Sequence, residues 1–138
     1  MSFKKQRRLN YEETVRFHGH DGPLLALGYR LGKFIVRELK PAGIMGLEIK
    51  VRTRREKPFT CLLDGLQCAT FATLGKGNII IEDSSSDAIV VHARADERSM
   101  KFVMNRRAIE LCFTSGDLQR MARKILRTPV EELWRIRS

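Results

Sequence analysis

No Cys-x-x-Cys pair occurs in this chain, and its three cysteines, Cys61, Cys68 and Cys112, are odd in number. A disulfide framework is therefore not expected, and free thiols in a reducing, cytoplasmic setting fit better. No apolar run approaches the ~18 residues needed to cross a membrane. The basic N-terminus, MSFKKQRRLNYEE, is not followed by the apolar segment of a secretory signal. There is no His-Glu-x-x-His, no nucleophile elbow and no Ser-His-Asp pattern. Gly75-Lys76-Gly77 follows a helical stretch and precedes a strand, so it lacks both the spacing and the context of a phosphate loop. A helix C-cap and turn account for its glycines. Aromatic residues are only 7% of the chain. Few of them accompany the basic clusters, so the stacking platform of a single-strand binder is not visible.

With 138 residues, 43% of them hydrophobic, the chain is long enough for one domain with its own core. Residues 1–138 read as that single domain, with 1–10 as a flexible basic arm. The net charge of +10 is unevenly placed. Residues 29–57 carry nine Lys/Arg against three acids, and residues 94–138 carry eleven against six. Residues 58–93 reverse the sign, with Lys76 against Asp64, Glu82, Asp83 and Asp87. Such a balance admits a nucleic-acid partner, although a solvated basic surface is the simpler account. Scattered Lys/Arg without aromatic interleaving predict that any such binding is weak, non-specific and removed by moderate salt.

The most informative stretch is Phe17–Arg30, FHGHDGPLLALGYR. Pro23 suits the first position of a helix, with Gly22 or Asp21 as its cap. Leu24, Leu27, Leu31, Phe34 and Ile35 recur at three- and four-residue steps, so one face of that helix is buried. His18 and His20 thus lie in a tight loop at the positive end of a buried helix, which favours the neutral imidazole that binds metals. Hydrogen-bonded loop histidines are the plainer alternative.

Elsewhere, Asn10 is positioned to cap a short helix over Tyr11–Phe17, and the main helix runs from Pro23 to about Leu39. Leu47–Arg54 alternates as a half-buried strand. Phe59–Leu74 reads as a second helix, with Cys61, Asp64, Cys68 and Ala72 on one face. Strands follow at Ile79–Ile81, at Ala88–Ala95 after a hairpin connection over Ser84–Asp87, and through Met100–Met104. Thr114 or Ser115 is placed to cap a helix burying Leu118, Met121, Ala122, Ile125 and Leu126. Thr128-Pro129-Val130-Glu131 opens a last short helix. The class is α+β: a helix–strand–helix–three-strand core with a mixed sheet, helices packed on it, and extra C-terminal helices.

These pieces together resemble a known family. FHGHDGPLLALGYR is similar to the FHGHxCPGLALGYR signature of the FmdE family, which takes its name from formylmethanofuran dehydrogenase. CLLDGLQCATFATLGKGN resembles that family's C-x-x-D-A-I-Q-x-x-x-G-C-T-x-GKGN stretch. The likeness runs over roughly residues 11–135. It implies a homodimer with a polar, often metal-bearing pocket at the His-Gly-His loop. By position, the matching pocket residues are His18, His20, Cys61, Asp64, Gln67 and Lys76. Some members add a C-terminal zinc finger on four cysteines, which this sequence does not contain. The family's cysteine after His-Gly-His is Gly22 here, and its Gly-Cys pair is Phe71-Ala72, so of three characteristic thiols only Cys61 remains.

The resemblance implies a cytoplasmic, metal-binding accessory or subunit-type protein, serving formylmethanofuran dehydrogenase in the one-carbon, molybdenum- or tungsten-dependent metabolism of methanogenesis. His18, His20 and Cys61 could supply three ligands to zinc or another divalent transition metal, leaving a fourth position open. Any catalytic role would fall to His20, Cys61, Asp64 and Lys76. Loss of metal binding altogether is the alternative at the site. A basic, non-enzymatic nucleic-acid-binding module is the rival reading of the whole chain.

Overall fold

The computed structural model describes residues 7–43, 45–114 and 116–137. Helix α1 (Tyr11–His18) begins with a capping box. The Asn10 side chain accepts from the Glu13 N–H at 2.8 Å, and the Glu13 carboxylate accepts from the Asn10 N–H at 2.9 Å. Gly19, at φ 103°, ends the helix in the left-handed region that glycine enters without penalty. Helix α2 (Pro23–Leu39) starts at the expected proline with Gly22 as its N-cap. Strand β1 (Glu48–Thr53) follows, then α3 (Cys61–Thr70), β2 (Ile79–Asp83), β3 (Val90–Ala95) and β4 (Arg98–Met104). The chain closes with α4 (Arg106–Cys112), α5 (Leu118–Arg127), the single turn α6 (Val130–Leu133) and β5 (Trp134–Arg137).

The five strands form one mixed sheet in the order β2-β1-β3-β4-β5. β1 and β2 run parallel, joined by the crossover through α3, and the remaining neighbours are antiparallel. The α+β class and the mixed sheet are as expected, but the hairpin between β2 and β3 is not formed. The crossover returns β2 to the outer side of β1, so β3 takes the other side and β1 separates the two. Among the described residues, the Asp96–Glu97 turn is the one tight turn joining neighbouring antiparallel strands, β3 and β4.

Burial alternates along β1, so Ile49, Val51 and Thr53 face the helices while Glu48, Lys50 and Arg52 face solvent. Leu24, Leu27, Leu31 and Ile35 of α2 join Leu62 and Leu66 of α3 in the core, against Val91, Ala93 and Phe102 of the sheet. Arg30 reaches from α2 to the end of α5, donating to the carbonyls of Ile125, at 2.9 Å, and Thr128.

Several boundaries differ from the sequence reading. α3 stops at Thr70 because Phe71 turns left-handed at φ 68°, and the Gly75–Gly77 segment is a separate turn ahead of β2. Asp117, rather than Thr114, caps α5, accepting from the N–H groups of Gln119 and Arg120. The alternative cap, Ser115, lies outside the described residues. Ala122 and Ile125 are buried as expected, but Leu118, in the first turn, is 49% exposed. The last helix is one turn long, because Trp-Arg-Ile-Arg alternates and pairs with β4. Most of the arm read over residues 1–10 lies outside the described residues. Arg7 forms an ion pair with Glu13 at 2.8 Å, and the Leu9 N–H donates to the Cys68 carbonyl at 3.3 Å.

α2 and α3 meet backbone to backbone. A methyl group added at Gly28 would stand 2.1 Å from the Leu62 carbonyl oxygen, and one at Gly65 would stand 2.3 Å from the Leu25 carbonyl oxygen. Such distances force the helices apart, since the obstacle is main chain rather than a movable side chain. Gly28→Ala is expected to destabilise the fold by about 1–3 kcal/mol through overpacking. Urea unfolding would measure this, and an unchanged midpoint would refute the close approach.

Candidate metal centre

The close crossing of α2 and α3 brings two short segments together. One is the loop from His18, the last residue of α1, through His20 to the start of α2. The other is the first turn of α3, carrying Cys61 and Asp64. One ligand atom from each of His18, His20 and Cys61 lies within 4.8 Å of the other two. Around a single zinc ion, with bonds of about 2.0–2.3 Å, tetrahedral ligands stand roughly 3.3–3.8 Å apart. A side-chain adjustment of about 1 Å closes the set.

Hydrogen bonds assign the ring nitrogens. His18 Nδ1 lies 2.6 Å from Asp64 Oδ2, so Nδ1–H donates to the carboxylate, and in the neutral ring Nε2 carries the lone pair. That Nε2 is buried and has no hydrogen-bond partner among the described residues. A buried polar atom without a partner is rare and calls for an explanation; an ion at this position provides one. His20 Nδ1 lies 3.1 Å from the Asp21 carbonyl oxygen, which again leaves Nε2 as the available atom. The two rings are 4.6 Å apart, centroid to centroid.

Outer residues hold this arrangement. Gln67 donates to Asp64 Oδ1 at 3.1 Å and accepts from the Leu74 N–H at 2.9 Å. A line of hydrogen bonds therefore runs from the loop after α3, through Gln67 and Asp64, to His18. Tyr11 donates to the Asp21 carboxylate, fixing the turn that carries His20. Burial, and then that carboxylate, raise the Tyr11 phenol well above its ordinary pKa, so it remains a donor. Cys61 is half-buried, and its thiol pKa is raised by burial and, secondarily, by Asp64.

Lys76 is held elsewhere. Its ammonium donates to the Phe71 carbonyl and, at 3.1 Å, to the Thr73 hydroxyl, at the end of α3 opposite Cys61. The sequence reading named Asp21 only as a possible cap and Tyr11 only as a helix start, and did not single out the glycines of the helix crossing. For the crossing a signal was present: Gly28 and Gly32 stand four apart on one face of α2. Tyr11 and Asp21 offered none, since their contact depends on how α1 turns into α2.

The fold and the cluster define an α+β domain with two imidazoles and one thiol converging on a point, supported by a carboxylate. Residues 17–135 match the family described as "FmdE, Molybdenum formylmethanofuran dehydrogenase operon", and the chain belongs to that family. The chain is also similar to a "Probable S-adenosyl-L-methionine-binding protein" of Archaeoglobus fulgidus, at 28% identity over 115 residues. That match covers 80% of this chain but 31% of the relative, so the chain spans about a third of that protein's length. No described helix is long and apolar enough to cross a membrane.

Asp64 faces His18 and also raises the Cys61 pKa, so its charge has a reporter. In metal-free protein, Asp64→Asn is expected to lower the Cys61 pKa and speed its alkylation severalfold at pH 8. Mass mapping would distinguish Cys61 from the buried Cys68 and Cys112. An unchanged rate would separate the two groups.

Proposed function

We propose that the chain is a metal-binding accessory or subunit-type protein of the formylmethanofuran dehydrogenase system. In this reading it holds one divalent transition ion, zinc being the best match, on His18 Nε2, His20 Nε2 and Cys61 Sγ. The observation that carries the proposal is the buried, unpartnered Nε2 of His18, whose other nitrogen is bonded to Asp64. A ligating histidine backed by a carboxylate is the usual outer support of a zinc ligand, fixing the tautomer and strengthening the donor. Two nitrogens and one sulfur suit zinc among the available ions.

Three protein ligands leave a position for an external molecule, and a bound ion would supply Lewis acidity there. Of the residues considered for chemistry, His20 stands at the exposed side of the cluster, beside a groove also lined by Asp21, Asp117 and Leu118. It is the group placed to move a proton to or from a molecule in that groove. Cys61 serves as thiolate ligand or nucleophile, and Asp64 orients His18. Lys76 holds the turn after α3, whose Leu74 N–H orients Gln67.

The homodimer is part of the same proposal. The helices of the chain itself cover the apolar face of the sheet, so that face does not call for a partner. Phe17, next to His18, is 62% exposed, and the half-exposed Leu118 borders the His20 groove. Apolar side chains flanking the cluster are what a second copy would bury. Light scattering is expected to show twice 15.9 kDa at micromolar concentration. A monomer would remove the dimer from the proposal without touching the metal site.

Elemental analysis of protein purified without added metal tests the centre directly, with about one ion per chain expected. Asp64→Asn should weaken zinc binding about 10–100-fold in a chelator competition, and Cys61→Ser should also weaken it. Gly22→Cys should tighten it: a Cβ there meets His20 at 3.6 Å, an ordinary contact, and φ is extended at −171°. Because the thiol must lose its proton on binding, affinity should fall by about tenfold per pH unit on acidification. Metal-free protein that takes up no zinc at micromolar concentration would refute the site.

A further inference from the structure

The register of the sheet gathers cations on the face turned away from the helices. One rung runs Lys50, His92, Lys101, Arg137 across β1, β3, β4 and β5. The next runs Arg52, Val90, Val103, Arg135. Among the described strand residues the acids on this face are Glu48 and Glu82, and both are engaged: Glu82 with Lys50 at 3.3 Å, Glu48 with Arg94 at 2.9 Å; Asp87 and Glu110 line the groove at its Val103–Arg135 end. Arg52, Lys101, Arg135 and Arg137 have no ion-pair or hydrogen-bond partner for their side chains among the described residues.

We propose that this open sheet face binds the phosphate backbone of double-stranded nucleic acid, independently of the metal centre. From β1 to β5 is three inter-strand steps, roughly 14 Å at 4.7–4.9 Å each. Four free cations over that span are too dispersed for one small phosphate and match a run of phosphates. Among the described residues the strands place no Phe, Tyr or Trp on this face, and Phe113 lies only in the groove at its Val103–Arg135 end, so the face itself has no platform for splayed bases and favours the duplex over the single strand. The apolar residues of this face are the half-buried Val90 and Val103 and, at the β2 edge beside Lys50, the half-exposed Ile80. An acidic protein partner would need a more apolar centre than that, whereas a contact made through phosphates alone does not. Binding of this kind positions the duplex without reading its sequence.

The test is fluorescence anisotropy of a labelled 20-base-pair DNA duplex against salt, using the full chain. Four phosphate contacts predict a slope of log K against log salt of about −3 to −4, and each of Arg52→Gln, Lys101→Gln, Arg135→Gln and Arg137→Gln should reduce it by about 0.9. The quadruple variant should lose binding by tenfold or more at low salt while keeping its circular dichroism spectrum. The control removes equal charge from α5, whose buried Ala122 and Ile125 lie in the core on the helical side of the sheet. Arg120→Gln, Arg123→Gln, Lys124→Gln and Arg127→Gln together should leave the slope nearly unchanged. An equal loss in the α5 variant would show diffuse attraction to net charge and overturn the site. So would no binding at 20 mM salt, or poly-glutamate displacing the duplex as well as unlabelled DNA does.

Discussion

The site depends on one contact, the backbone approach of α2 to α3 at Gly28 and Gly65. With no Cβ between them, the helix axes come close enough for the N-terminus of α2 and the first turn of α3 to lie side by side. The His-Gly-His loop is fixed to one helix and the Cys61–Asp64 turn to the other, forty or more residues later in the chain. Ordinary side chains at the crossing would put a layer of atoms between the helices. The 2.6 Å bond from His18 to Asp64 would then have to be remade by longer reach or lost. Packing at the glycines and chemistry at the histidines are therefore one problem for this chain.

Much of the local structure was legible because it follows rules that act over one or two turns. Asn10 and Glu13 announce the start of α1, Pro23 the start of α2, and the alternation of Leu47–Arg54 the strand β1. The parts that were not legible depend on distant partners. β2 reads as one arm of a hairpin with β3, yet whether two strands pair is decided by what lies between them in space. β5 reads as helix because Thr128-Pro129 looks like a helix start, and only the free edge of β4 makes Trp134–Arg137 a strand.

The cluster was legible in a similar measure. Spacing alone left His18 and His20 open between loop hydrogen bonds and metal ligation. The resemblance selected Cys61 and Asp64 as companions, and the geometry brings all four side chains to one place. Lys76 was carried over from the Gly-Lys-Gly-Asn segment on position alone. Its amine is directed at the carbonyl of Phe71, a part-buried backbone acceptor at the C-terminus of α3.

Phe71 shows how the departures from the family pattern fit together. It stands where the quoted family stretch has glycine, and at φ 68° it occupies a conformation natural to glycine and strained for a bulky side chain. The surrounding structure stabilises it. Arg8 lies 5.7 Å from the ring centroid, a cation over an aromatic face, and Lys76 binds its carbonyl. Leu9, next to Arg8, bonds the carbonyl of Cys68 on α3. The ring thus gives Arg8 a place to dock. In exchange the adjacent family cysteine is Ala72, buried and unable to ligate. In the proposed centre, the absence of that thiol and of one at Gly22 would leave nitrogen as the majority donor, and the carboxylate behind His18 would matter correspondingly more.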